Sequence, residues 1–118
     1  MSGNAEAWVK TIESFNQTGS FEAAVETMDA AFTIHPSTGG DFSGRDASRA
    51  ALETMRNERQ WSHSEVRGAT GSGDWVSVIY RHTFGQTTVT GASVVRFNAA
   101  GRAIEMWSHA VDDNAAPG

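Results

Sequence analysis

The fold is decided by GDWVSVIYRHTFG at residues 73–85, followed by TTVTGASVVRFNAAGRAIEMWSHAVDD at residues 87–113. The two segments contain three runs rich in Val, Ile, Thr and aromatic residues, which are separated by turns that contain glycine. This pattern predicts consecutive antiparallel strands. The joining segments 84–86 and 98–101 are short enough for hairpins. We expect the sequence upstream to form helices that cover one face of this sheet.

Two short helices are predicted first. Trp8, Ile12 and Phe15 have the spacing of one apolar stripe, in a helix that runs from about Ala5 to Gln17. A second helix is predicted from Ser20 to about Ala30. The tight turn at the glycine between them favours an antiparallel helix pair.

A short strand, a loop and a third helix are predicted next. The strand runs from Ala31 to Pro36, where the proline ends it because proline has no N–H to donate. A glycine-rich loop spans residues 37–44, and a helix is expected from about Arg45 to Gln60. A weaker strand pattern covers Trp61 to Ala69.

The predicted fold class is therefore α+β, with the order α-α-β-α-β-β-β-β. Three helices on one face of a strongly curved antiparallel sheet make a half-closed cone, which encloses a pocket. Residues 1–112 are predicted to form a single domain, and residues 113–118 a flexible C-terminal tail.

Composition excludes several classes of function. The chain has 118 residues, 39% of them hydrophobic, and a net charge of −5. Its nine basic residues form no cluster, so nucleic acid is not an expected partner. No apolar run is long enough to span a membrane, and the first ten residues lack the basic region and apolar core of a signal peptide. Cysteine is absent, and so are the glycine-rich nucleotide motifs and helical His-x-x-x-His metal spacings. We expect a cytoplasmic protein without a metal or cofactor.

Together these pieces resemble the nuclear transport factor 2-like superfamily, and within it the SnoaL-like polyketide cyclases and the ketosteroid isomerases. The resemblance covers nearly the whole chain. It rests on the order of NQTGSFEAAVETM, the strand that ends in IHP, FSGR, GDWV and RFNAAGRAIEMW. The superfamily contains isomerases, dehydratases, cyclases, epoxide hydrolases and binding modules, so the activity must be argued from the site.

The resemblance to ketosteroid isomerases implies three positions. In those enzymes a carboxylate shuttles the proton just before the proline of the first strand, and the matching residue here is His35. Two further residues stabilise the enolate oxygen, and the matching positions are Thr11 and Ser93. Both can donate a hydrogen bond to a developing oxyanion. Because neither is a strong acid, ordinary steroid isomerase activity is not expected.

Strand alternation predicts which side chains enter the cone. If Ser93 points inward, Val95 does too, and on the neighbouring strand Val78, Tyr80 and His82 follow. Histidine can take and return a proton near neutral pH. The four predicted catalytic residues are His35, His82, His109 and Tyr80. The predicted substrate-binding residues are Trp8, Thr11, Phe15, Trp61, Val78, Ser93, Val95 and Trp107.

Two registers remain open for the last strand. The resemblance to ketosteroid isomerases sends Met106 and Ser108 inward, whereas a resemblance to limonene-type epoxide hydrolases sends Trp107 and His109 inward. A slip of one residue exchanges the two faces, and the extra residue in GRAI is a candidate bulge. We favour His109 inward, since Trp107 would then make an apolar pocket wall.

Two functions are compatible with this sequence. The first is a cofactor-independent cyclase, isomerase or dehydratase, in which a histidine shuttles a proton on a hydrophobic polyketide- or terpenoid-like molecule. The alternative is a non-catalytic module that binds a small molecule or dimerises through the same fold. The resemblance implies a homodimer in either case, because the outer face of the sheet in this superfamily commonly packs on a second copy. The residues predicted on that face are apolar enough to allow it.

Overall fold

The computed structural model describes residues 3–112, and the side chains of residues 3–109. Three helices and six strands follow in the order α-α-β-β-α-β-β-β-β. The helices are α1 (Gly3–Thr18), α2 (Glu22–Thr27) and α3 (Arg45–Arg59). The strands are β1 (Met28–Pro36), β2 (Phe42–Ser43), β3 (Trp61–Ser72), β4 (Trp75–Phe84), β5 (Thr87–Phe97) and β6 (Ala103–Asp112). The tail predicted at residues 113–118 lies outside the described residues.

All six strands form one curved, unclosed sheet with the order β2-β1-β6-β5-β4-β3. Neighbouring strands are antiparallel except β1 and β6, which are parallel. The predicted antiparallel sheet is confirmed except at this one pair. Between β1 and β6 the chain forms β2, α3, β3, β4 and β5, a connection long enough for parallel pairing.

The end of the second helix is corrected, and one short strand is added to the predicted elements. The second helix ends at Thr27 rather than near Ala30, because Met28 takes an extended conformation (ψ 136°) and begins β1. In that conformation Met28 and Phe32 both reach the core, where each is 0% exposed. Burial of these two large side chains outweighs the weak helix preference of the segment. The two-residue strand β2 was not predicted, and it pairs with β1 beside Thr33 and Ile34.

The core lies between the helices and the concave face of the sheet. Trp8 of α1 packs on Phe32 and Phe97, with ring centroids 6.4 and 6.2 Å away. The predicted inward set of β4 and β5 is confirmed, because Val76 and Val95 are fully buried while Ile79 is 52% exposed. The hairpin predicted at residues 84–86 is confirmed as well.

The register of β6 is set by a bulge. Arg96 pairs with Glu105, but the next residue, Phe97, pairs with Ala103, so Ile104 is extra in β6. This confirms the candidate bulge in GRAI, and it decides which residues of β6 point into the cone.

Candidate functional site

A cavity of about 750 Å³ opens between the helices and the sheet. Its size suits a small organic ligand. All three helices and most strands contribute apolar side chains to its wall. These are Trp8, Ile12, Phe15, Phe21, Ala24, Met28, Ile34, Phe42, Leu52, Met55, Trp61 and Phe84. The pocket predicted from the curved sheet is therefore present.

Most of the predicted site residues border this cavity. Trp8, Thr11, Phe15, Trp61, Tyr80, His82 and Ser93 all line it. Val78 and Val95 do not, because they are 1% and 0% exposed and lie in the core behind the wall. Their prediction as substrate contacts is wrong: alternation identified the inner face of each strand correctly, but only part of that face reaches the cavity.

His82 is the histidine held most firmly at the cavity. Its Nδ1 lies 2.6 Å from the hydroxyl of Ser64, which also accepts a hydrogen bond of 2.8 Å from the indole N–H of Trp61. The His82 ring stacks on Tyr80, with centroids 4.9 Å apart, and meets Trp61 edge to face. Asn16 of α1 fixes the Ser64 backbone through two bonds of 2.8 Å.

These contacts favour one tautomer of His82. Ser64 is 0% exposed, and its oxygen already accepts from Trp61. A buried hydroxyl proton without an acceptor is costly, so Ser64 donates to Nδ1 and the ring proton lies on Nε2. Burial, followed by the positive charge of Arg59, lowers the pKa of His82 to about 4. The ring is therefore neutral at pH 7 and presents a donor.

A second group of donors consists of Trp8, Tyr80 and Ser93, whose side chains are joined in series by hydrogen bonds. The indole N–H of Trp8 donates to the Tyr80 oxygen at 2.9 Å, and the hydroxyls of Tyr80 and Ser93 lie 2.6 Å apart. Two hydroxyl protons are present and the bond between them uses one. One O–H is thus available to a ligand oxygen, whichever residue donates within the pair. Burial raises the pKa of Tyr80, so the phenol stays neutral.

Thr11 borders the cavity, but its hydroxyl proton is already used in a hydrogen bond within α1. It donates a hydrogen bond of 2.7 Å to the carbonyl of Trp8, one turn earlier in α1. Thr11 can therefore accept a hydrogen bond from a ligand, but the predicted donor role needs this bond to break.

His35 does not lie inside the cone, which corrects its predicted position. Its neighbour Ile34 is buried beside Met106, and His35 pairs instead with Trp107 on the other face of the sheet. There its ring stacks on Trp107, with centroids 5.1 Å apart. The gapless match to the ketosteroid isomerases identified the right strand end, but the alternation of β1 sends the side chain outward.

On that outer face His35 lies between two carboxylates. Nδ1 lies 3.0 Å from Asp41, and Nε2 lies 3.0 Å from Glu105. Burial lowers the pKa of His35, but the hydrogen bonds to Glu105 and Asp41 outweigh it, and the pKa is raised above the ordinary value. Bonds from Arg96 and then from His35 hold the pKa of Glu105 below its ordinary value. Both ring nitrogens can donate at once only in the imidazolium form.

The register that we favoured for β6 is wrong. Ser108 pairs with the inward Ser93, whereas Trp107 pairs with Val94, and both members of that second pair are exposed. Trp107 stacks on Trp75, outside the cone. His109 pairs with Ala92 and is exposed, but it still borders the cavity at the rim. The bulge at Ile104 produces this register.

Two residues at the site were not singled out from the sequence. Ser64 lies in β3, where register shifts between Trp61 and His63 and between Val66 and Gly68 interrupt the alternation. Arg59 ends α3 and borders the cavity, but nothing in its local sequence separates it from an ordinary basic residue at a helix C-terminus. Only the packing of α3 against the sheet brings it there.

Solved structures similar to this chain share its fold. An NTF-2 like protein of unknown function from Burkholderia xenovorans superposes with a TM-score of 0.81 and 18% identity, covering 98% of this chain and 88% of that one. A candidate SnoaL-like polyketide cyclase from Jannaschia superposes with a TM-score of 0.80 and 18% identity, covering 97% of this chain and 93% of that one. A steroid delta-isomerase from Pseudomonas aeruginosa superposes with a TM-score of 0.76 and 14% identity, covering 97% of this chain and 84% of that one. At these identities the likeness shows the fold alone.

Family membership follows from the sequence itself. No match is found among curated proteins. The model of the SnoaL-like domain matches residues 5–106, which run from the first turn of α1 to the first part of β6. The chain belongs to the SnoaL-like domain family, within the nuclear transport factor 2-like superfamily.

Proposed function

We propose that the cavity is a cofactor-independent acid–base site for a hydrophobic, polyketide- or terpenoid-like molecule that carries a carbonyl or hydroxyl oxygen. The observation that carries the proposal is the convergence of His82 with the Tyr80–Ser93 pair in an apolar cavity. Apolar side chains make up most of the wall, and the polar groups between them orient the ligand. The reaction class is cyclisation, isomerisation or dehydration.

The spare O–H of the Tyr80–Ser93 pair binds the ligand oxygen. Nε2 of His82 presents a lone pair in the less stable tautomer, in which Ser64 accepts a hydrogen bond from Nδ1–H and its own buried proton loses its acceptor, at a cost of about 1–3 kcal/mol. It then takes a proton from the carbon next to the carbonyl, and the C–H electron pair moves to form an enolate, whose oxygen the hydroxyl stabilises. Returning the proton to another carbon completes an isomerisation. A conjugate acid with a pKa of about 4 returns it readily.

Exchange of substrate protons for deuterium tests this proposal. A panel of cyclic enones and β-keto esters is incubated with the protein in deuterium oxide, and loss of the proton next to the carbonyl is followed by NMR. We expect exchange with the wild-type protein on at least one scaffold, and its loss in His82→Gln. The matched control is His35→Gln, which removes an imidazole outside the cavity. Equal exchange in all three proteins would overturn the proposal.

A second function, a binding module without turnover, is favoured by one specific observation. The low pKa that burial and Arg59 give His82 makes it a weak base at pH 7, and the Tyr80 phenol stays protonated. Saturable binding of a panel member without any proton exchange would support the module.

We also propose that the outer face of the sheet pairs with a second copy of the chain. Trp75, Ile79, Val94 and Trp107 are 47%, 52%, 37% and 38% exposed on that face. Apolar side chains grouped on one face, rather than scattered singly, are typical of an interaction surface. Cytoplasmic location stays a prediction; no helix among the described residues is long and apolar enough to cross a membrane.

A further inference from the structure

The cavity wall has an unusual distribution of charge. Among the described residues that line it, Arg59 carries the only permanent charge, and none is an Asp or Glu. The histidine nearest to it, His82, is neutral. The chain as a whole carries a net charge of −5, so the positive charge at this cavity is a local feature that opposes the overall balance.

The Arg59 guanidinium lies over an aromatic ring and not against a carboxylate. Its central carbon lies 4.3 Å from the ring centroid of Phe84, which also lines the cavity. No carboxylate of the described residues lies within 4 Å of it, in contrast to Arg49, Arg67 and Arg96, which all form ion pairs. No hydrogen bond joins the Arg59 guanidinium to another described residue, so its N–H groups remain available, and their fork matches a carboxylate in geometry.

Arg59 also acts on the interior of the cavity. Phe84 lies next to His82, with ring centroids 5.9 Å apart. Burial is the main reason for the low pKa of His82, and the charge of Arg59 is the second. The field of Arg59 therefore reaches the group that faces the ligand.

We propose that the natural ligand is an amphipathic organic acid, whose apolar body fills the aromatic cavity and whose carboxylate binds the N–H edge of Arg59. This inference names the ligand class of the proposed acid–base site and rests on that function. With the anion at Arg59, the body extends along Phe84 and His82 toward the Tyr80–Ser93 pair, where a second oxygen on the ligand would be bound.

Pyrenebutyrate and its methyl ester form a matched pair of probes, because they share an apolar body and differ in charge. Binding of each is measured by fluorescence titration at low and at moderate salt. We expect wild-type protein to prefer the acid, and Arg59→Gln to weaken binding of the acid about tenfold or more while ester affinity changes less than about twofold. Arg59→Lys should retain part of the preference for the acid over the ester, since lysine keeps the positive charge but lacks the paired N–H donors of the guanidinium.

Arg67→Gln is the matched control, because it removes the same charge from an exposed residue of β3 outside the cavity. An equal loss of acid binding in Arg67→Gln and Arg59→Gln would show a net-charge effect and overturn the inference. Equal affinity of wild-type protein for acid and ester would also overturn it, while leaving the apolar pocket intact. Binding of neither probe would instead count against the ligand pocket itself, and hence against the proposed function.

Discussion

The imidazole of His82 occupies the space that a side chain at Gly91 would fill. A Cβ built on Gly91 would lie 2.5 Å from Nε2 and 2.7 Å from Cδ2 of His82. Non-bonded atoms do not approach so closely. Because Ser64 holds the far side of the ring, the imidazole cannot move away without losing that bond.

Gly91→Ala is therefore expected to displace the His82 ring. Overpacking of this kind costs about 1–3 kcal/mol of the free energy of unfolding. Urea denaturation measures the loss, and the NMR shift of His82 reports the displacement. Gly68→Ala is the control: it places the same methyl group in a strand where nothing lies within 4 Å, and neither glycine has a positive φ. Equal stability of the two variants would contradict the prediction.

The low pKa of His82 predicts a loss of stability in acid. The folded value is about 4 and the unfolded value near 6.5. Between these values the unfolded chain binds the proton more readily, so the free energy of unfolding falls as pH falls, by up to about 3 kcal/mol. An NMR titration checks the pKa and denaturation at several pH values checks the loss. In His82→Gln this fall in the free energy of unfolding between pH 6.5 and 4 should become smaller.

The raised pKa of His35 predicts that the free energy of unfolding falls as pH rises, the opposite of the effect of His82. Its folded pKa is raised, so its stabilising effect is fully present below the unfolded value and is lost as pH rises through the folded value. In the neutral ring only one nitrogen donates, so one of the bonds to Asp41 and Glu105 is lost. Denaturation above pH 6.5 should show a decline in the free energy of unfolding as pH rises, and this decline should be absent in His35→Gln. A wild-type decline that persists unchanged in this variant would disprove the assignment.

Tyr80 and Ser93 are expected to replace each other as donors. In Tyr80→Phe, Ser93 still offers its O–H; in Ser93→Ala, Tyr80 offers the phenol. Each single variant should therefore weaken binding of a carbonyl ligand only modestly, and the double variant much more than the sum. Their stabilities should differ, because only Tyr80→Phe leaves the buried N–H of Trp8 without an acceptor, at a cost of about 1–3 kcal/mol. Additive losses in binding would refute the shared-proton arrangement.

The proposed dimer predicts a response to charge on the outer face. Ile79→Glu buries a carboxylate in the interface and should shift sedimentation from dimer to monomer at micromolar concentration. Gln17→Glu adds the same charge to an exposed position of α1 and should have no effect. A wild-type protein that sediments as a monomer at all concentrations would remove the proposal.

With Ser93 placed inward by the resemblance to the ketosteroid isomerases, strand alternation predicted the inner faces of β4 and β5 correctly. Tyr80 and His82 were found in this way, because the two strands pair with each other without a shift. The fold class followed from the same pattern and from the spacing of the helical stripes.

The errors coincide with irregular pairing. His35 lies in β1, where the register shifts after Met28, and Trp107 and His109 follow the bulge at Ile104. One inserted residue reverses all later side chains, and sequence patterns locate such insertions poorly. Arg59 was missed for another reason: its position at the cavity depends on how α3 packs, which no local pattern encodes.

The place of β6 in the sheet has a consequence for folding. It is the last described strand along the chain, but it lies between β1 and β5 and joins β2-β1 to β5-β4-β3. Until it forms, the sheet exists as two separate halves, and the wall of the cavity has a gap between them. Such distant pairing slows folding, since a long loop must close before the contacts form. A nascent chain that has not yet reached Ala103 would expose two open strand edges, so assembly of the pocket must wait for the end of synthesis of the domain.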